Sequence, residues 1–245
     1  AAAGKTPFAA SFAMFSAGRA FEQIRNSVGY PKLNVKIVGS HAGISVGEDG
    51  ATHQCLEDIA LMRTIPGMVV LNPSDHYEMM AAIEAAIQHH GPVYIRLGRL
   101  AVESINNSDD YKFKLGKGIT LRDGKDITII ATGLMVVEAV QAAQELEKDG
   151  IDARVINIHT IKPIDREIIV KAAKETGKII TVEEHNVIGG LGDAVSSVLC
   201  EEYPAPVVKI GVNDTYGHSG PAVDLLKEFG LCASHIVEVT KAALK

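Results

Sequence analysis

The chain has 245 residues, of which 22% are charged and 47% hydrophobic, and its formal net charge is −6 at pH 7. These values are typical of a globular protein with one large or two average domains. Without a dense run of lysine and arginine the sequence predicts no nucleic-acid partner, and without an apolar run of about 18 residues it predicts no membrane span. Its three cysteines are too far apart to suggest a disulfide framework, which favours a reducing, cytoplasmic location.

Short apolar runs alternate with amphipathic stretches along the chain. Because these runs are apolar almost throughout, they are typical of parallel strands that are buried on both faces. The predicted strands are residues 35–39, 69–71, 93–97, 127–131, 153–158, 179–182 and 207–212. The repeated β-α-β order predicts an α/β fold with two doubly wound, mainly parallel sheets.

The helices are predicted between these strands, at residues 54–63, 75–90, 134–148 and 165–175. Ser74 and Asp75 are suitable capping residues for the second of them, and Gly91-Pro92 is a stop signal at its end. Glycine follows the third and fourth helices at positions where a left-handed residue commonly ends a helix.

A polar, turn-rich stretch at residues 98–125 interrupts the β-α-β pattern. It predicts a linker with a small hairpin between two α/β units. We therefore expect a first domain over residues 1–100, a linker over 101–120 and a second domain over 121–245. Because Ala1–Ala3 resemble the end of a helix, we also expect the first domain to lack its start.

The loop after the first predicted strand, residues 40–54, carries the densest group of reactive side chains. It contains His41, Asp49 and His53 among its imidazoles and carboxylates, together with three glycines. Ligands of open α/β sheets bind beyond the carboxyl ends of the strands, where this loop lies. Histidine moves protons near neutral pH, and a carboxylate can hold a substrate hydroxyl. The alternative is a glycine-rich turn that only caps the next helix.

Several short motifs elsewhere point to other functions but lack the required context. The G-x-S-x-G pattern at residues 43–47 is followed by a turn, whereas a hydrolase nucleophile requires a helix there. The Gly-Lys-Thr at 4–6 is followed by Pro7 and an apolar run, whereas a phosphate-binding loop requires a helix there. The Gly-Gly-Leu-Gly at 189–192 has Val195 where a dinucleotide fingerprint needs a small residue. No third ligand at a metal-site spacing accompanies residues 183–185, so we assign no metal ligand to this chain.

Two further pairs are candidates for ligand contacts. Phe12 and Phe15 are three residues apart, and they either fill a core or form an apolar clamp for a planar ring. Arg96 and Arg99 stand at the carboxyl end of a predicted strand. A guanidinium there suits a phosphate or carboxylate, with a surface ion pair as the alternative.

These segments together resemble the transketolase family. The family signature is similar to GISVGEDGATHQ at residues 43–54, and the family's aromatic pair is similar to SFAMF at residues 11–15. The family's C-terminal domain is similar to IHTIKPID at residues 158–165 and VEEH at residues 182–185. The resemblance covers essentially the whole chain. It implies a pyrimidine-binding domain, missing its first portion, followed by a transketolase C-terminal domain that mainly supports assembly.

The family also implies an activity, the transfer of a two-carbon ketol unit between phosphorylated sugars, as in the pentose phosphate pathway. By this resemblance, His41 and His53 are catalytic and contact the sugar near its reacting carbons. Asp49 holds a sugar hydroxyl, and Arg99 binds the sugar phosphate.

The implied cofactors are thiamine diphosphate and Mg²⁺. Phe12 and Phe15 would contact the aminopyrimidine ring, while a partner chain would hold most of the diphosphate and the metal. The glutamate that activates the ring in this family would precede Ala1. The implied partner is an N-terminal transketolase subunit, in a heterotetramer that also requires self-association of this chain.

One difference from full-length transketolases indicates which branch of the family the chain resembles. Full-length transketolases commonly carry a tyrosine where this chain has Gly18, and the stretch 18–23 is instead similar to split transketolases and 1-deoxy-D-xylulose-5-phosphate synthases. The synthases lack a counterpart of His41, which favours a split transketolase. The synthase, a 2-oxo acid dehydrogenase beta chain and a non-catalytic assembly subunit remain alternatives.

Overall fold

The computed structural model describes residues 1–106 and 111–245, in which the strands form two five-stranded sheets. The strands are β1 (Phe8–Phe12), β2 (Lys36–Ser40), β3 (Val69–Leu71), β4 (Val93–Arg96), β5 (Ile119–Arg122), β6 (Ile127–Ala131), β7 (Ala153–Asn157), β8 (Thr160–Lys162), β9 (Ile179–Asn186) and β10 (Val207–Val212). The first sheet has the order β1-β2-β4-β3-β8, and the second has the order β10-β9-β6-β7-β5.

Within each sheet the pairs are parallel except at one edge. In the first sheet β8 is antiparallel to β3, and in the second β5 is antiparallel to β7. The prediction of an α/β fold with two mainly parallel sheets is therefore confirmed. The sequence-based prediction omitted β1, β5 and β8.

Helices lie between the parallel strands, as the β-α-β order requires, and the last two helices follow the last strand. They are α1 (Phe21–Gln23), α2 (Asp58–Thr64), α3 (His76–Gln88), α4 (Met135–Lys148), α5 (Arg166–Thr176), α6 (Leu191–Glu202), α7 (Ala222–Glu228) and α8 (Ala233–Leu244). Two π-helical segments, Met14–Arg19 and Ile24–Gly29, flank α1, and a 3-10 helix spans Ile44–Asp49. Along the described chain we find no helix with the length and apolar character that a membrane crossing demands.

The two sheets share part of their hydrophobic core. Met62 and Val70 from the first half of the chain are buried in one cluster with Ile130, Ile158 and Ile169 from the second half. β8 strengthens this connection because it comes from the second half of the sequence but completes the edge of the first sheet. The halves are therefore in extensive apolar contact.

The stretch predicted as a linker also differs from expectation in one respect. β5 forms no hairpin, because it pairs with β7 of the second sheet. Residues 107–110 of the predicted linker lie outside the described residues. On the near side of that gap, the Asp75 carboxylate accepts hydrogen bonds from the amides of Ile105 and Asn106, which fixes the chain against the start of α3. The domain boundaries at 100 and 121 stay predictions.

Candidate functional site

The topology of the first sheet brings three chain segments to one edge. β1, β2 and β4 are parallel neighbours, so their carboxyl ends lie side by side. Phe12 ends β1, His41 follows β2, and Arg99 lies shortly after β4. The sequence positions proposed as ligand-binding therefore meet where parallel sheets usually bind their ligands.

An aromatic–imidazole cluster of four side chains forms at this edge. The rings of Phe12 and His41 stack with their centroids 4.0 Å apart and an interplanar angle of 7°. Phe12 and Phe15 are also nearly parallel, at 5.9 Å and 10°. The ring of His53 is steeply inclined to both phenyl rings, with centroid distances of 5.3 Å to Phe15 and 6.1 Å to Phe12. All four are partly buried, so the cluster is neither a closed core nor a loose surface group.

Phe15 has a second partner that the sequence did not indicate. The guanidinium of the exposed Arg19 lies 4.7 Å from the centroid of the Phe15 ring, a cation–π contact. His41 stacks on Phe12, and Phe12 is nearly parallel to Phe15, so both phenyl rings already have neighbours. A planar ligand that stacks on Phe15 must displace Arg19 or use the opposite face.

A cleft of about 920 Å³ opens beside the cluster, between the two halves of the chain. Phe15, Arg19 and Thr52 line it on one side, and Asp214 and Tyr216 line it on the other. Tyr216 is 87% exposed, which leaves its ring available at the rim. Of the four cluster residues Phe15 lines this cleft, so the Phe15 ring is accessible from a cavity large enough for a small-molecule ligand.

The loop that carries both imidazoles has an unusual backbone. His41 adopts a positive φ of 54°, which is uncommon for residues other than glycine, although asparagine, aspartate and histidine adopt it more often than the rest. Gly47 interrupts the 3-10 helix with φ 81° and ψ −118°, a conformation that only glycine adopts without strain. The loop folds back on itself in this way, so that His41 and His53 both reach the phenyl rings.

Side chains from both halves of the chain hold the loop. The Gln54 amide donates to the carbonyls of Ile44, at 3.2 Å, and His218, at 3.0 Å. The amide of Ser45 donates to Glu184 at 2.7 Å. Neither Gln54 nor Glu184 was predicted as a site residue, since their contacts join positions far apart in the sequence. Because the side chain of Gln54 is hydrogen-bonded within the loop, α2 begins at Asp58 and not at the predicted residue 54.

The two arginines at the end of β4 have different environments. Arg99 donates to the carbonyl of Val46 and forms an ion pair with Glu48 at 2.8 Å, with side chains 42% and 65% exposed. Arg96 is only 3% exposed and forms a buried ion pair with Asp58 at 2.8 Å. Arg96 is therefore a structural residue, whereas Arg99 remains accessible to an anionic ligand.

Asp49, the carboxylate predicted to hold a sugar hydroxyl, ends the 3-10 helix and is exposed. It belongs to the same loop as the two imidazoles. Ser45 of the G-x-S-x-G pattern is completely buried, which excludes it as an accessible nucleophile.

The glycine-rich segment at residues 189–192 is also accounted for. The buried Glu183 accepts hydrogen bonds from the amides of Leu191, at 2.6 Å, and Gly192, at 2.8 Å. These amides begin α6, where a dinucleotide would place its phosphates. A carboxylate of the chain itself occupies that position. Among the residues that the structure describes, no three histidine, cysteine or acidic side chains form a metal-binding group.

Fold and site together define a two-domain α/β protein with an aromatic–imidazole site at the carboxyl edge of its first sheet. Comparison with known proteins is consistent with this class. A family model described as the transketolase pyrimidine binding domain matches residues 1–104, and one described as the transketolase C-terminal domain matches residues 116–236. The chain therefore belongs to the transketolase family, and the resemblance inferred from its motifs is confirmed.

Individual relatives point to the same part of the family. The chain is 50% identical over 240 residues to a putative transketolase C-terminal section of Methanocaldococcus jannaschii, covering 97% of this chain and 75% of the relative. It is 46% identical to a 6-deoxy-6-sulfo-D-fructose transketolase subunit of a Clostridium species, covering 97% and 73%. A solved structure described as a split gene transketolase, inactive beta4 tetramer, superposes with a TM-score of 0.93 at 52% identity, covering 99% of this chain and 78% of that one.

Proposed function

We propose that this chain is the subunit of a split transketolase that supplies the sugar-binding loop and the aromatic face for the cofactor ring. The complete enzyme transfers a two-carbon ketol unit between phosphorylated sugars. The observation that supports this most directly is the cluster of Phe12, Phe15, His41 and His53 at the carboxyl edge of the first sheet. It places two imidazoles against a pair of phenyl rings, of which Phe15 lines the adjacent cleft.

The cofactor implied by the family is thiamine diphosphate with Mg²⁺. When bound, it supplies the carbanion-stabilising chemistry that cleaves and forms the bond between sugar carbons. The chemistry of the described side chains fits the ring end of this molecule, because Phe12 and Phe15 present a parallel pair of apolar rings. It does not fit the diphosphate end, for which the described residues offer no cluster of metal-ligating groups.

The chain's own residues position the sugar and move its protons. His41 and His53 have one ring nitrogen each bonded to a neighbouring hydroxyl, Ser40 at 3.2 Å and Thr52 at 2.9 Å. These contacts orient the rings, and the other nitrogen of each ring is suited to exchange a proton with a sugar hydroxyl. Asp49, exposed at the end of the same loop, is placed to accept a hydrogen bond from a further hydroxyl.

Arg99 is the residue for the anionic end of the sugar. Its guanidinium is already oriented by the carbonyl of Val46, and its exposed partner Glu48 can exchange with a ligand anion at small cost, since exposed ion pairs contribute roughly 0 to 1 kcal/mol. A guanidinium binds phosphate and other tetrahedral anions in two-point contacts. The Clostridium relative, named for a sulfo-sugar, shows by its name that the family also includes proteins for sugars with a sulfonate.

The test is the substitution Arg99→Ala in the complex with the N-terminal subunit. Loss of a charge-assisted hydrogen bond costs roughly 1.5 to 3 kcal/mol, so KM for a phosphorylated ketose should rise about 10- to 150-fold. KM for the corresponding unphosphorylated ketose should hardly change.

Arg166→Ala is the matched control, because Arg166 has a similar exposure of 43% and also pairs with glutamates, but it lies on α5. It should leave both KM values unchanged. Equal losses for both ketoses in Arg99→Ala would show that Arg99 supports the loop and does not bind phosphate. Sugar binding by the wild-type complex without any ketol transfer would favour the non-catalytic assembly subunit.

A further inference from the structure

A buried carboxylate of the second sheet contacts the loop that carries the imidazoles of the first. Glu184 lies in β9 and is only 3% exposed, and its Oε1 accepts a hydrogen bond from the amide of Ser45 at 2.7 Å. Ser45 stands between His41 and His53 in the sequence, near the start of the 3-10 helix. The contact therefore fixes the middle of the segment whose two ends carry the imidazoles.

The packing around this carboxylate is close. Gly43 has a positive φ of 91°, and a Cβ at this position would lie 2.3 Å from the carboxyl group of Glu184. No side chain fits between the loop and Glu184. Because Gly43 has no side chain, the backbone of the loop packs directly against the carboxyl group of Glu184.

The first half of the chain in turn holds Glu184. Arg96 donates to the backbone carbonyl of Glu184 at 2.7 Å, while it forms its ion pair with the buried Asp58. Burial raises the pKa of the Glu184 carboxyl, and the positive charge of Arg96 opposes this shift. A buried acidic group with a single backbone partner on the loop is costly to keep unless that partner is retained.

Glu184 has a functional consequence because the amide that it holds lies between the two imidazoles of the loop. His41 has a left-handed backbone conformation, uncommon for residues other than glycine, and it stacks on Phe12 from that conformation. A misplacement of about 1 Å in a catalytic group can reduce the rate about 100-fold.

We propose that Glu184 of the second domain is a positioning residue, which holds the loop through the amide of Ser45 so that His41 and His53 face the phenyl rings. This inference rests on the proposed function, which identifies the loop as a sugar-binding site. It assigns to the C-terminal domain a direct part in the site, beyond the assembly role that the family resemblance implies.

Three variants separate positioning from general stability. Glu184→Ala removes the acceptor, and Glu184→Gln keeps an oxygen of the same reach without the charge. Glu183→Ala is the matched control, because Glu183 is adjacent and equally buried but accepts its hydrogen bonds from the amides that begin α6. If Glu184→Ala does not fold, Glu184→Asp replaces it, since it withdraws the oxygen from Ser45 by one methylene.

The first readout is the NMR spectrum of the histidine rings in the isolated chain, which requires no catalysis. Stacking on the Phe12 ring shifts the imidazole resonances of His41. If the His41 ring leaves Phe12 in Glu184→Ala, these resonances should move toward the values of an exposed histidine. Glu184→Gln and Glu183→Ala should retain the wild-type shifts. Unchanged shifts in Glu184→Ala, or equal changes in Glu183→Ala, would overturn the inference whatever the activity is.

The second readout is ketol transfer by the complex with the N-terminal subunit, measured with a phosphorylated ketose and aldose. Glu184→Ala should lower kcat about 100-fold with a smaller effect on KM, while Glu184→Gln should restore most of the rate. A wild-type complex without ketol transfer would contradict the proposed function, but the NMR result would still decide the role of Glu184. If Glu184→Ala and Glu183→Ala have equal kcat values, Glu184 has a structural role and does not position the loop.

Discussion

At the scale of single residues, the two imidazoles of the site are held in different ways. His41 is bonded at its Nδ1 to the hydroxyl of Ser40, and it also stacks on the face of Phe12 from a left-handed backbone. His53 is fixed at its Nδ1, by the hydroxyl of Thr52, and presents its ring at right angles to Phe15. His53 therefore depends less on loop curvature, and its Nε2 is the better candidate for proton exchange with a sugar.

We expect His53→Ala to reduce ketol transfer by the complex about 100-fold or more, the usual effect of losing a general acid or base. Steady-state kinetics with a phosphorylated ketose would measure it. His76→Ala, at an exposed histidine that begins α3, is the control and should retain wild-type turnover. If both variants turn over at the wild-type rate, His53 has no part in proton transfer.

At the scale of elements, the start of β2 is tied to the end of α3 by a buried lysine. Lys36 is completely buried, and its ammonium donates to the carbonyls of His89 and Gly91 at 2.8 Å and to the Asn34 side chain at 2.6 Å. Burial lowers the pKa of Lys36 from 10.5 to about 8. Between these two pH values the unfolded chain binds more protons than the folded one, so stability should rise with pH.

The substitution Lys36→Met should therefore flatten the pH dependence of stability. The contribution of Lys36 to the free energy of unfolding is up to about 3 kcal/mol. It is fully present above about pH 10.5 and is lost as the pH falls through about 8. Urea unfolding of wild type and variant at pH 7 and pH 10 would measure the difference. Lys171→Met, at a lysine 71% exposed on α5, is the control and should follow the wild-type curve. Parallel curves for wild type and Lys36→Met would show that Lys36 has an ordinary pKa.

The elements also show how far the sequence determines the fold. Continuous apolar runs located seven strands, because a strand buried on both faces leaves that pattern. β1 was missed since it is an exposed edge strand without a continuous apolar run, and β8 was missed because its three residues pair with β3, which is distant in the sequence. In the site, the aromatic pair and the imidazoles are evident from motifs and strand ends. The contact of Glu184 with Ser45 spans 139 residues and leaves no local pattern.

At the scale of the whole molecule, the proposed function assigns one half of a cofactor site to this chain. Phe12 and Phe15 offer an aromatic face that is worth about 1 kcal/mol beyond the area it buries. The sequence contains no Gly-Asp-Gly segment, which in this family anchors the metal and diphosphate. Removing a doubly phosphorylated group from water without such an anchor is strongly unfavourable. In the proposed split enzyme, the N-terminal subunit supplies this anchor.

We expect the purified chain alone, with thiamine diphosphate and Mg²⁺, to show neither ketol transfer nor cofactor binding in calorimetry. A dissociation constant of about 1 μM requires about −8 kcal/mol, which exceeds the contribution of the aromatic face by several-fold. Addition of the N-terminal subunit should restore both binding and transfer, and sedimentation should show an assembly with two copies of each chain, since closed symmetric assemblies are the rule. The N-terminal subunit alone is the control for the diphosphate anchor and should bind the cofactor without transferring ketol units. Micromolar binding or turnover by this chain without a second protein would contradict the division of the site between two chains.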